Sequence, residues 1–214
     1  MTALERIASI GSITSQTASL TIVVFDAASA ADWIPTKAAA TKAQFTGHPA
    51  EVMHKLAKGE EAAAIDVGAS AGFAFELEGK SGKLDAYRAA TAALVFVAPP
   101  RAWWLERHPD AAETIDALIA QAISGDDDAS ELGEIELTSG KLAAVYLWLK
   151  KVGAARELAT TIPSNGAASF GDGYGDGNGG LVVDLGPGRY RLARHELATP
   201  WDDETLVAVA FTAV

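Results

Sequence analysis

The segment Leu20-Thr21-Ile22-Val23-Val24-Phe25 is apolar on both faces of an extended chain and rich in β-branched residues. Such a run reads as a central strand, because both of its faces have to be hidden from water. The chain around it carries more strand signals. Gly72–Glu78 alternates, with Phe73, Phe75 and Leu77 on one face and Glu76 and Glu78 on the other. Ala62–Val67 and Ala92–Val97 read as strands, the second stopped by Pro99-Pro100, and so do Leu181–Leu185, Arg189–Leu197 and Thr205–Ala213. The turn sequences Gly79-Lys80-Ser81-Gly82 and Gly186-Pro187-Gly188 predict antiparallel hairpins, into Lys83–Tyr87 and Arg189–Leu197 respectively. Leu142–Leu149 is apolar all round, and periodicity leaves strand and buried helix open there.

Two stretches read as helices. Pro49–Lys58 starts at a proline, turns Val52, Met53 and Leu56 inward and stops at Gly59. Pro109–Ser124 places Ile115, Leu118, Ile119, Ala122 and Ile123 on one helical stripe before Gly125. The expected fold is therefore α+β, a mostly antiparallel sheet with two helices packed on it. A single domain over 1–214 is expected; an internal boundary would fall near 125–132, after the acidic loop Asp126-Asp127-Asp128. One internal echo pairs Glu76-Leu77 and Ser81-Gly82-Lys83-Leu84 with Glu136-Leu137 and Ser139-Gly140-Lys141-Leu142, as in two similar hairpins.

Composition narrows the function classes. The chain has no cysteine, which excludes disulfides, thiolate zinc sites and cysteine nucleophiles, and fits a reducing compartment. A net charge of −11 repels phosphate backbones and anionic lipid, so neither nucleic acid nor membrane is an expected partner, whereas a basic protein would be steered toward it. The run Ala18–Phe25 before Ala27-Ala28-Ser29-Ala30 imitates a signal peptide, but Glu5 offsets Arg6 and Asp26 interrupts the run. The strand reading is preferred, and with it a cytoplasmic location.

No local motif carries catalysis. Gly175, Gly177 and Gly180 satisfy G-x-G-x-x-G, but Leu181-Val182-Val183 after them reads as a strand, and a dinucleotide site needs a helix there. The run Gly171–Gly180 is best read as a loop between strands; Asp172 and Asp176 are calcium candidates in one degenerate copy of a repeat-type loop. Gly79-Lys80-Ser81 lacks the earlier glycine of a P-loop, since position 74 is alanine. His48, His54, His108 and His195 form no metal-binding spacing. No cofactor is expected.

Three features point to binding instead. Trp103-Trp104 lie between Arg101 and Arg107 after two prolines; on an extended chain they face opposite ways, so that one is exposed as an interface anchor or both cap the core. Arg189, Arg191 and His195 share one face of a strand, either to bind an anion or to pair with acidic residues of the neighbouring strand. The acidic clusters Asp126–Asp128 and Asp202–Glu204 are solvated turns or contacts for a basic partner.

Three segments together resemble the small bacterial immunity proteins of polymorphic toxin systems: Ser19–Phe25 leading to Trp33, Leu181-Val182-Val183-Asp184-Leu185-Gly186-Pro187-Gly188-Arg189-Tyr190-Arg191-Leu192, and Ala93–Trp104. The resemblance implies an acidic cytoplasmic protein that blocks a basic toxin by occluding it. The glycine-rich loop and the alanine-rich N-terminal half depart from that family, and no site residue carries over. A non-enzymatic protein-binding domain is the leading expectation. A hydrolase assembled from residues distant in sequence, or a structural assembly subunit, is the alternative.

Overall fold

A computed structural model describes residues 5–11, 19–33, 48–56, 61–78, 82–88, 93–124, 129–146, 167–171, 178–201 and 204–214. The strands in chain order are β1 (Glu5–Gly11), β2 (Ser19–Asp26), β3 (Ala62–Val67), β4 (Ser70–Glu78), β5 (Lys83–Arg88), β6 (Leu94–Ala98), β7 (Ser130–Leu137), β8 (Lys141–Tyr146), β9 (Ala167–Gly171), β10 (Asn178–Asp184), β11 (Gly188–Ala198) and β12 (Thr205–Ala213). The helices are α1 (His48–Leu56), α2 (Arg101–Arg107) and α3 (Ala112–Ser124). All strand pairs are antiparallel and the class is α+β, but the strands form two sheets, ordered β1-β5-β6-β12-β11-β7 and β3-β4-β2-β8-β10-β9. Strands from both sides of segment 125–132 contribute to each sheet.

Alternation along the strands explains why two sheets form. In β2, Ile22 and Val24 enter a core between the sheets, while Val23 and Phe25 enter a second core on the opposite face. The inter-sheet core also takes Phe75, Leu77, Phe96, Leu142, Leu181, Leu192, Val209 and Phe211. Outside the β2 sheet, α1 and the 3-10 turn Ala27–Ser29 cover Val23, Phe25, Ile65 and Val145 with Val52, Ala30 and Trp33. Outside the β12 sheet, α2 and α3 cover Val95, Val97, Leu206 and Ala208 with Trp104, Ile115, Ile119 and Ala122. The apolar run Ile22–Phe25 is thus buried by a sheet on one side and a helical layer on the other.

Both expected hairpins are corrected. β4 and β5 lie in different sheets, as do β10 and β11, so the chain arches from one sheet to the other at each turn. β7 and β8 make the same crossing, and the sequence echo between 76–84 and 136–142 marks two such arches. Gly82 and Gly140 turn the two arches at φ of 60° and 73°, where a side chain is strained. A Cβ on Gly140 would also stand 2.7 Å from the Pro187 backbone nitrogen. The Gly140 carbonyl accepts both Leu185 N–H and Gly186 N–H at 2.9 Å, so the 138–140 and 185–187 arches dock on one another. Burying a large apolar side chain stabilises by about 1.5–3 kcal/mol, against about 0.4–1 kcal/mol for a well-placed Pro. Strand placement therefore follows burial, and turn chemistry adapts to it.

Three further assignments follow. The segment left open at Leu142–Leu149 is strand β8 as far as Tyr146, and 147–149 lie outside the described residues. Trp103 and Trp104 sit on helix α2, not on an extended chain. The expected Pro109–Ser124 helix begins at Ala112, one turn after His108, which is the C-terminal cap of α2.

Candidate functional site

Helix α2 starts where Pro100, in extended conformation, supplies no side-chain cap. Asp85 of β5 replaces one: its Oδ2 accepts the Arg101 N–H at 3.0 Å, while Oδ1 pairs with Arg6 at 2.8 Å. Tyr87 also donates to Asp85, at 3.2 Å. Burial, then the adjacent Asp85 charge, push the Tyr87 phenol well above its ordinary value of 10.0. Arg101 then forks onto Asp116 of α3 at 2.7 and 3.1 Å. These contacts set the pitch of α2 over the sheet.

That pitch divides the tryptophan pair. Trp104 is 1% exposed, joins the core under α3 and donates Nε1–H to the Pro99 carbonyl at 3.2 Å. Trp103 is half-buried and edge-on to Trp104, 4.9 Å between centroids. One turn later, the Arg107 guanidinium lies 3.8 Å over the Trp103 ring, a cation–π geometry. The two adjacent tryptophans therefore part: Trp104 lies inside and Trp103 at the surface.

The turn between β11 and β12 meets α2 here. Thr199 Oγ1 donates to the carbonyls of Glu204, at 2.7 Å, and Trp201, at 3.1 Å. It closes a loop that delivers Trp201 and Glu204 to the end of α2. Trp201 stacks on His108, 4.2 Å and 11° apart, and lies 5.2 Å from Trp104. His108 Nε2 is 3.2 Å from Glu204 Oε2. An ionised carboxylate only accepts, so this ring nitrogen carries the proton. Arg107, His108, Pro200, Trp201 and Glu204 line an open depression of about 470 Å³.

The sequence pointed to Trp103 and Trp104 but not to His108 or Trp201 beside them. Nothing local links them: His108 and Glu204 are 96 residues apart. No family model, no curated protein and no solved structure matches this chain.

The basic row lies elsewhere. Arg189 and Arg191 are exposed near the start of β11, which is 11 residues long; at about 3.3 Å per residue, roughly 30 Å of strand separates that end from the tryptophans. Arg189 pairs with Glu134 on the neighbouring strand β7, the cross-strand pairing weighed for this row. His195 is only 2% exposed, on the face of Leu197, whose side chain packs under α3. Asp126, Asp127, Asp128, Asp172, Asp176, Asp202 and Asp203 lie outside the described residues. Among the described residues no group of three or more His, Asp or Glu has the arrangement to hold a metal, and no helix is long and apolar enough to cross a membrane. Val214, 64% exposed, is the sole exposed large hydrophobic among them.

A second buried carboxylate serves the fold. Asp26, fully buried, accepts from Ala28 N–H at 2.9 Å, Thr138 Oγ1 at 2.7 Å, Ser139 N–H at 2.9 Å and the Ser139 hydroxyl. Burial by itself raises its pKa, but the Ser139, Ala28 and Thr138 donors together hold it below the ordinary 3.8. It ties the end of β2 to the β7–β8 arch.

Proposed function

We propose that this chain is a non-enzymatic binding protein that captures a basic protein partner through the surface formed by Trp103, Arg107, His108, Trp201 and Glu204. Its most concrete form is a cytoplasmic bacterial immunity protein that neutralises a basic toxin by occlusion. The observation that carries the reading is the split tryptophan pair: Trp104 anchors α2 in the core, while Trp103, under Arg107, reaches the surface beside a depression with a polar rim. Tryptophan and arginine on a rigid element are the residue types that dominate interface energetics. The net charge of −11 favours encounter with a cationic partner. The test is genetic and biochemical. The neighbouring gene is expected to encode a secreted basic toxin, and coexpression of this chain is expected to restore growth. A neighbour that is neither toxic nor bound by this chain counts against the reading.

One observation favours a second reading, a hydrolase. His108 is oriented by Glu204 at the edge of the depression, as a general base would be. That reading expects turnover of ester or amide substrates by the purified chain, abolished by His108→Ala.

A further inference from the structure

We infer that the depression beside α2 is a receptor for a cationic side chain, a lysine or arginine presented by the partner. This rests on the protein-binding reading above and names what that surface recognises. Its lining combines Trp201 and Pro200 with the polar groups of Arg107, His108 and Glu204. An aromatic face next to a carboxylate is the standard chemistry for holding an ammonium or guanidinium group, by cation–π attraction and a charge-assisted hydrogen bond.

The electrostatics of the rim agree. The one cation lining the depression, Arg107, is committed to Trp103: its guanidinium carbon sits 3.8 Å over that ring and its Nη1–H donates to the Trp103 carbonyl at 3.4 Å. Glu204 is held in place by its contact with His108. The His108 contact uses Oε2, and among the described residues Oε1 takes no hydrogen bond or ion pair. The chain around these positions is acidic as well. Exposed Glu106 and Asp110 flank Arg107 and His108 in the chain. With Arg107 turned onto Trp103, Glu204 is the charged group left to meet a guest, and it favours a cationic one over an anionic or neutral one. His108 has a positioning role here: stacked on Trp201 and bonded to Glu204, it fixes the angle between the ring and the carboxylate.

The test uses the whole chain and two small probes that differ in charge but hardly in shape, Nα-acetyl-arginine amide and Nα-acetyl-citrulline amide. Tryptophan fluorescence and side-chain NMR shifts report binding. The arginine probe is expected to bind with a millimolar dissociation constant, as suits one side chain without its protein, and the citrulline probe about tenfold more weakly. Glu204→Gln is expected to remove that preference while the arginine probe still perturbs Trp201. Equal binding of the two probes, binding of neither, or an undiminished preference in Glu204→Gln each overturn the inference. The protein-binding reading has a separate readout, loss of partner capture by Trp103→Ala, so either idea can fail alone.

Discussion

The two outer faces of the sandwich are both sealed with tryptophan, and they differ in what the seal leaves over. On the β2 sheet, Trp33 stacks on Phe25, 5.7 Å and 17° apart, and is 4% exposed. It belongs wholly to the core. On the β12 sheet, Trp104 does the same work at 1% exposure, but Trp103 and Trp201 extend the aromatic cluster outward to Arg107, His108 and Glu204. The comparison teaches that aromatic content alone does not mark a site. The mark is an aromatic cluster that reaches the surface and ends on charged groups held by the same elements.

The sharpest way to break this comparison is to truncate its two core members. Trp33→Ala and Trp104→Ala should each cost about 3–5 kcal/mol of unfolding free energy, measured by urea denaturation. A small loss at Trp104 would mean that α2 is not anchored as described. Asp26→Asn comes next, at about 2 kcal/mol, and it carries a pH signature. Because the Asp26 pKa is depressed in the folded chain, its contribution is complete above the ordinary 3.8 and is lost as pH falls through the lower folded value. Wild type should therefore lose stability on acidification below about pH 4 more steeply than Asp26→Asn does.

Trp103→Ala should cost only about 1 kcal/mol in stability, while lowering partner affinity by about 2 kcal/mol or more; thermal unfolding beside a binding titration separates the two. The smallest effect is expected at Glu134→Gln. That substitution removes an ion pair whose Arg189 side chain is 62% exposed, so stability should change by about 0.5 kcal/mol or less. A large loss of partner affinity there would move the docking surface to the basic row at the far end of β11.

Much of the fold was legible because burial writes directly into the strands. The alternation of Phe73, Phe75 and Leu77, the apolar Ile22–Phe25 and the stripe of Ile115, Ile119 and Ala122 each named their buried faces correctly. Which sheet a strand joins was not legible. Gly186-Pro187-Gly188 suits a hairpin and an inter-sheet arch equally, and the choice depends on partners distant in sequence. Helix α2 was hidden by the Pro99-Pro100 pair, which reads as a strand stop; the acceptor for its first N–H is Asp85, 16 residues earlier. For the site, Trp103 and Trp104 stood out by composition, but Trp201, His108 and Glu204 acquire meaning only when the β11–β12 turn lands on the end of α2.

The central claim is that the Trp103 surface captures a basic protein. Its most direct test is affinity capture from native extract with two baits in parallel, wild type and Trp103→Ala, followed by mass spectrometry and a binding titration of whatever is retained. The account predicts one basic protein in stoichiometric amount on wild type and at least about tenfold less on the variant, with both baits equally folded. Equal capture by the two baits, or recovery of wild type with nothing bound, would contradict it.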